Sequence, residues 1–265
     1  MTDFEQLAYS NDYVQFRKMD LFRPDVSNGS CLLFIHGGGW SAGSKEQWHD
    51  VCRHFVKLGF VCASISYRLL PDYIFPSQIE DARLAMQFLK RNAAKFEFDP
   101  QSIAVVGSSA GGYLAVMLGL IAETDALGRV PELEMKDTKP QAVIGYCPVV
   151  TLYSGRESAH QLMGGTPQQM PESYMMASPD KRAESGRSDF PPYLLIQGNE
   201  DETTTLQNTS KFCHHINTNG GTASLIVLPG IRHGFGYGIK TTAQRQSIAH
   251  VELFLERHRF GNGLK

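Results

Sequence analysis

Short apolar runs alternate along this chain with longer stretches whose apolar residues recur every three or four positions. Residues 31–35 (Cys-Leu-Leu-Phe-Ile) and 103–106 (Ile-Ala-Val-Val) carry no polar side chain. Runs of that length without alternation fit strands covered on both faces. Residues 60–67, 141–150, 193–196 and 223–228 are expected to be further strands. Between them the period lengthens. Trp48, Val51, Cys52 and Phe55 fall on one helical stripe, as do Ile79, Ala82, Met86 and Leu89. The pattern predicts helices from a cap at Ser44 to about residue 58, over 77–95, from Tyr113 to Leu118, over 205–216 and over 241–258. Residues 1–12 are polar and expected to pack loosely, 13–23 to form one or two edge strands, and Asp99-Pro100 to turn.

Strands alternating with helices predict an α/β architecture, a doubly wound, mostly parallel sheet with helices on both faces. Residues 151–190 break the rhythm with Gly, Pro, Met, Ser and charges. They are expected to form a small cap or lid-like insertion above the sheet. No repeat or linker divides the chain, so residues 1–265 are expected to form a single domain.

Composition narrows the partners. Net charge is −2, from 25 basic and 27 acidic residues, and 42% of positions are hydrophobic. A near-neutral balance argues against nucleic-acid or anionic-membrane surfaces. No apolar run reaches the ~18 residues of a membrane span. The first five residues hold neither a basic nor an apolar segment, so no signal peptide is expected. The five cysteines (Cys31, Cys52, Cys62, Cys147, Cys213) are scattered, and Cys31, Cys62 and Cys147 sit in strand-like contexts where a thiol acts as a small hydrophobe. The expectation is a cytoplasmic protein with no metal and no cofactor, since neither ligand spacing nor a nucleotide loop is present.

The densest chemical signal follows the run at 103–106. Gly107, Ser109 and Gly111 satisfy G-x-S-x-G, in which a sharp strand-to-helix turn holds the central serine exposed. Ser108 is the rival hydroxyl, in an x position expected to point away. A serine hydroxyl is a weak nucleophile and needs a neutral imidazole to take its proton and a carboxylate to orient that imidazole. Ligands gather at the carboxyl ends of strands in such sheets. The loop after 193–196 offers Glu200, Asp201 and Glu202, and the loop after 223–228 offers His233 between Arg232 and Gly234. Serine, then acid, then histidine is the chain order of α/β-hydrolases. His36-Gly37-Gly38-Gly39-Trp40 adds a glycine run after a strand, suited with the Ala110 amide to an oxyanion hole. An unperturbed imidazole base would be lost below about pH 6–7.

These segments, together with Ser66-Tyr67-Arg68-Leu69, Pro71, Phe75-Pro76, Glu80-Asp81-Ala82, His233-Gly234-Phe235 and Leu162-Met163-Gly164-Gly165-Thr166-Pro167, resemble the hormone-sensitive-lipase and BD-FAE-like carboxylesterases of the α/β-hydrolase fold, over about residues 20–260. The resemblance implies Ser109, Asp201 and His233 as the catalytic triad, with Asp201 preferred over its two glutamate neighbours. It implies the backbone amides of Gly38, Gly39 and Ala110 as the oxyanion hole. The implied reaction is hydrolysis of small or medium acyl esters through an acyl-enzyme. The same machinery could cleave amides, as in aryl formamidases or peptidase-like relatives. A non-catalytic binding protein of this fold is the remaining alternative.

Overall fold

The structure, a computed structural model, describes residues 3–184 and 188–261. Its strands are β1 (Glu5–Ala8), β2 (Lys18–Phe22), β3 (Gly29–Ile35), β4 (Val61–Ile65), β5 (Phe98–Ser108), β6 (Ala142–Tyr146), β7 (Tyr193–Gly198) and β8 (Ala223–Leu228). They form one eight-stranded sheet in the order β1-β2-β4-β3-β5-β6-β7-β8. β1 and β2 run antiparallel at one edge, and β3 to β8 are parallel.

The all-apolar runs have a direct cause. In β3, Cys31, Leu33 and Ile35 enter the core on one face of the sheet, whereas Leu32 and Phe34 enter the core on the other. β5 divides likewise, with Ile103 and Val105 opposite Ala104 and Val106. Successive side chains of a strand point to opposite faces, so a strand covered twice has no polar phase. The first face is covered by α2 (Ser77–Arg91), α3 (Ala110–Leu120) and α7 (Leu206–Thr218); the second by α1 (His49–Val56) and α8 (Thr242–Arg257).

Several expectations need correction. Residues 5–8 form β1 rather than a loose segment, because their backbone pairs with β2. The Ser44 side chain makes no capping bond, and the first turn, Lys45–Trp48, is a 3-10 helix. Lys45 is drawn inward to Asp20 (3.0 Å), and its carbonyl accepts from the Ser64 hydroxyl, which distorts the helix start. α2 stops at Arg91 rather than 95, where the Asn92 side-chain amide donates to the Phe88 carbonyl. β5 runs through Asp99-Pro100, since Phe98 already pairs with Gly29 across a register shift.

A buried ion cluster anchors the loop after β4. Arg68 donates to both Asp81 carboxylate oxygens and to Glu80 (2.7 Å), and Arg17 reaches the same Asp81 at 2.7 Å. The Asp81 side chain is wholly buried. Within 151–190 the chain forms α4 (Glu157–Met163), α5 (Pro171–Ala177) and α6 (Pro179–Ala183); residues 185–187 lie outside the described residues. Leu162, Met163, Tyr174, Ala177 and Ala183 enter the same core as α2 and α3.

Candidate active site

β5 ends at Ser108 and α3 begins at Ala110, so Ser109 alone makes the turn. Its φ of 55° is a strained conformation for a residue with a side chain. The two flanking glycines make the turn possible. A Cβ on Gly107 would sit 2.2 Å from the Gly111 carbonyl oxygen, and one on Gly111 would sit 2.2 Å from that of Ile35. The Ser109 hydroxyl therefore stands above the sheet edge and donates to His233 Nε2 at 2.8 Å. Ser108 is buried, with its hydroxyl 3.8 Å from the Cys147 sulfur.

His233 Nδ1–H donates to Asp201 Oδ2 at 2.7 Å. Asp201 is held from several sides. Its Oδ1 accepts the Thr203 and Thr204 amides (2.8 and 2.9 Å), and its Oδ2 accepts from Gln197 Nε2 and the Thr204 hydroxyl. The carboxylate is thereby oriented and stabilised as an anion. Burial alone would raise the Asp201 carboxyl, but the His233 hydrogen bond and the Thr204 and Thr203 amides outweigh it and hold it below its ordinary value. Glu200 lies apart and faces the exposed Arg232 at 3.8 Å. For His233, burial alone would lower the imidazole; the Asp201 hydrogen bond and the Cys147 thiol outweigh it and hold the ring above its ordinary value.

The glycine run after β3 lies beside Ser109. Gly38 has φ +115°, and a Cβ there would meet the Ala42 carbonyl oxygen at 2.2 Å. Among the described residues, neither the Gly38 nor the Gly39 amide donates to a protein acceptor. The Ala110 amide is at the first position of α3, where helix geometry supplies no partner. His36 and Trp40 act as fixings. His36 is stacked on Tyr67 at 4.4 Å, donates to the Gly37 carbonyl, and is pushed by burial down to about 4, so it stays neutral. Trp40 packs edge-on against Tyr113.

Sequence reasoning missed four participants. Gln197 and Thr204 bind the carboxylate, Tyr237 accepts the Gly37 amide at 2.6 Å, and Cys147 faces the histidine. Gln197 directly follows the apolar run 193–196, a position that could have marked it; Cys147 lies inside the apolar run 141–150 and carried no such signal. Thr204 and Tyr237 line a cavity of about 370 Å³ with Ser109, His233, Trp40, Pro148, Val150 and Ala159.

A nucleophile elbow at the carboxyl edge of a mostly parallel sheet, covered by helices on both faces, defines an α/β-hydrolase fold. The profile of the BD-FAE family matches residues 19–216, well over half of the chain, and the chain belongs to that family. It is 30% identical over 271 residues to esterase LipC of Mycobacterium tuberculosis, covering 95% of this chain and 64% of that one. It is 27% identical over 259 residues to the probable carboxylic ester hydrolase LipM of the same organism, covering 92% and 59%. The chain thus spans less than two-thirds of the length of these relatives. Among solved structures, esterase 2 of Thermogutta terrifontis phosphorylated by paraoxon superposes with a TM-score of 0.81 at 25% identity, covering 98% of this chain and 96% of that one. The propionate-bound form of that esterase gives 0.84 at 23%, covering 97% and 95%, a likeness of fold. Among the described residues no helix is long and apolar enough to cross a membrane.

Proposed function

We propose that this protein is a serine carboxylesterase. The observation that carries the reading is the unbroken hydrogen-bond path from Asp201 through His233 to a serine on a strained elbow that opens into a cavity. Ser109 Oγ attacks the ester carbonyl while His233 Nε2 takes its proton. The oxyanion is received by the amides of Gly38, Gly39 and Ala110. The intermediate collapses as the imidazolium returns the proton to the leaving alcohol oxygen, leaving an acyl-Ser109. Water, deprotonated by the same imidazole, releases the acid and restores the serine. Asp201 keeps Nδ1 protonated, and its charge stabilises the transient imidazolium. Each oxyanion donor is worth about 2.7–4 kcal/mol of barrier.

The cavity of about 370 Å³ lies toward the small end of the ~300–1,000 Å³ spanned by ligand sites. That supports small or medium acyl groups. The names of the esterase relatives agree with ester substrates and supply no leaving-group preference. The test is turnover of p-nitrophenyl esters, with those of two to six acyl carbons expected to exceed ten. Ser109→Ala is expected to lose about 10⁴-fold or more in kcat, and paraoxon to label Ser109 alone in a peptide map. Activity that survives Ser109→Ala would overturn the proposal.

A further inference from the structure

The cavity beside Ser109 has a one-sided charge. Arg156, the residue that precedes α4, lines it together with Thr203, Thr205 and Asn208. No Asp or Glu is among the described residues that line it. The guanidinium donates to the Glu202 backbone carbonyl, which fixes the head of the side chain without neutralising it. Among the described residues no carboxylate pairs with it. Arg156 is exposed, whereas the buried Lys45, Arg17 and Arg68 each have a carboxylate partner and the buried Arg83 donates to the Thr138 hydroxyl and to backbone carbonyls. A guanidinium keeps its charge at any working pH and presents several donors in a planar fork, and a tethered one has lost part of the entropy that binding would otherwise cost. Trp40, Pro148, Val150 and Ala159 give the same cavity an apolar wall.

We infer that Arg156 is a specificity residue that selects esters bearing a carboxylate a few atoms from the scissile bond, with an apolar spacer lying along that wall. The inference rests on the ester-hydrolase reading above and names the substrate class of the same site. The carboxylate can belong to the acyl part, as in a dicarboxylic acid half-ester, or to the alcohol part; the recognition chemistry is shared. A charge-assisted hydrogen bond from an exposed guanidinium is worth on the order of tenfold in kcat/KM.

The test uses the full chain in a pH-stat at low salt. Ethyl hydrogen glutarate is compared with ethyl pentanoate, and 4-butyryloxybenzoate with phenyl butyrate; the first pair places the charge on the acyl side and the second on the alcohol side. In one pair the anionic-to-neutral ratio of kcat/KM is expected to fall about tenfold in Arg156→Gln, to be partly kept in Arg156→Lys and to fall further in Arg156→Glu. The wild-type ratio should also decline as salt screens the charge. Unchanged ratios in both pairs, with a folded Arg156→Gln by circular dichroism, would overturn the inference. Should that variant not fold, inhibition of the wild type decides: glutarate must compete better than pentanoate, and equal inhibition overturns the assignment. A wild type that cleaves none of the four esters and takes no paraoxon label at Ser109 defeats the esterase reading itself, and this inference with it.

Discussion

Cys147 shows how much a single residue can hide in a sequence. By its neighbours it is an apolar strand residue, yet its φ is +38° and it lies just past the end of β6. The turn brings its sulfur within 4.8 Å of a His233 ring nitrogen and an Asp201 carboxylate oxygen. With Asp201, the thiol holds His233 above the ordinary imidazole value of 6.5. Catalysis by the proposed mechanism needs the neutral ring, so the acid limb of kcat/KM should lie above pH 6.5, higher than an unperturbed histidine implies. Removing the thiol in Cys147→Ala should move that limb toward lower pH. A pH–rate profile of both proteins checks this, and a limb that does not move would show that Asp201 alone sets the histidine.

At the scale of elements, the site depends on loops that other elements hold. Gly37 is tied to Tyr237 in the loop before α8, so the glycine run and the histidine loop are joined by one hydrogen bond. The Leu70 amide donates to the Trp40 carbonyl, which links the same run to the loop after β4. That loop is in turn pinned by Arg68 to Asp81 of α2. This explains chemically why arginine follows the strand and aspartate the helix start. Asp81→Ala would leave the Arg17 and Arg68 guanidiniums, 3% and 5% exposed, without their shared carboxylate. Losing one partner of such a buried set typically costs about 3–5 kcal/mol. Urea unfolding of the variant measures it, and a loss below about 1 kcal/mol would mean that water reaches the cluster.

For the whole molecule, the question is whether residues 151–184 form a separate unit. Leu152, Leu162, Met163, Tyr174 and Ala177 enter the core shared by α2, α3 and α7, while Tyr153, Met170, Met175 and Met176 stay exposed, and Tyr113 of α3 donates to the Ala177 carbonyl at 3.0 Å. Folding is therefore expected to be cooperative across the chain, with far- and near-ultraviolet circular dichroism following one thermal transition. A separate early transition would identify this stretch as an independent cap. The Asp201–His233 pair also sets a pH window for its own contribution to stability. The lowered Asp201 contributes above its unfolded value of 3.8 and loses that contribution as pH falls through its folded value. The raised His233 contributes fully below 6.5 and loses that contribution as pH rises through its higher folded value.

Periodicity determined the mostly parallel sheet and the long helices, and the G-x-S-x-G motif the elbow, because each follows from a local rule: a strand covered twice has no polar phase, and a turn this tight excludes side chains two positions away. Local pattern was weaker at boundaries set from a distance. Lys45 drawn to Asp20 reshaped the start of α1, and pairing with Gly29 extended β5 through a proline. The partners of the carboxylate were illegible for the same reason. Gln197 and Thr204 reach Asp201 only because the loop after β7 folds back on itself. Cys147 meets His233 only because β6 and the loop after β8 end at the same edge of the sheet. A strand pattern records which face a side chain takes within its own strand. Which loops share an edge is a property of strand order, and that is decided by the packed sheet.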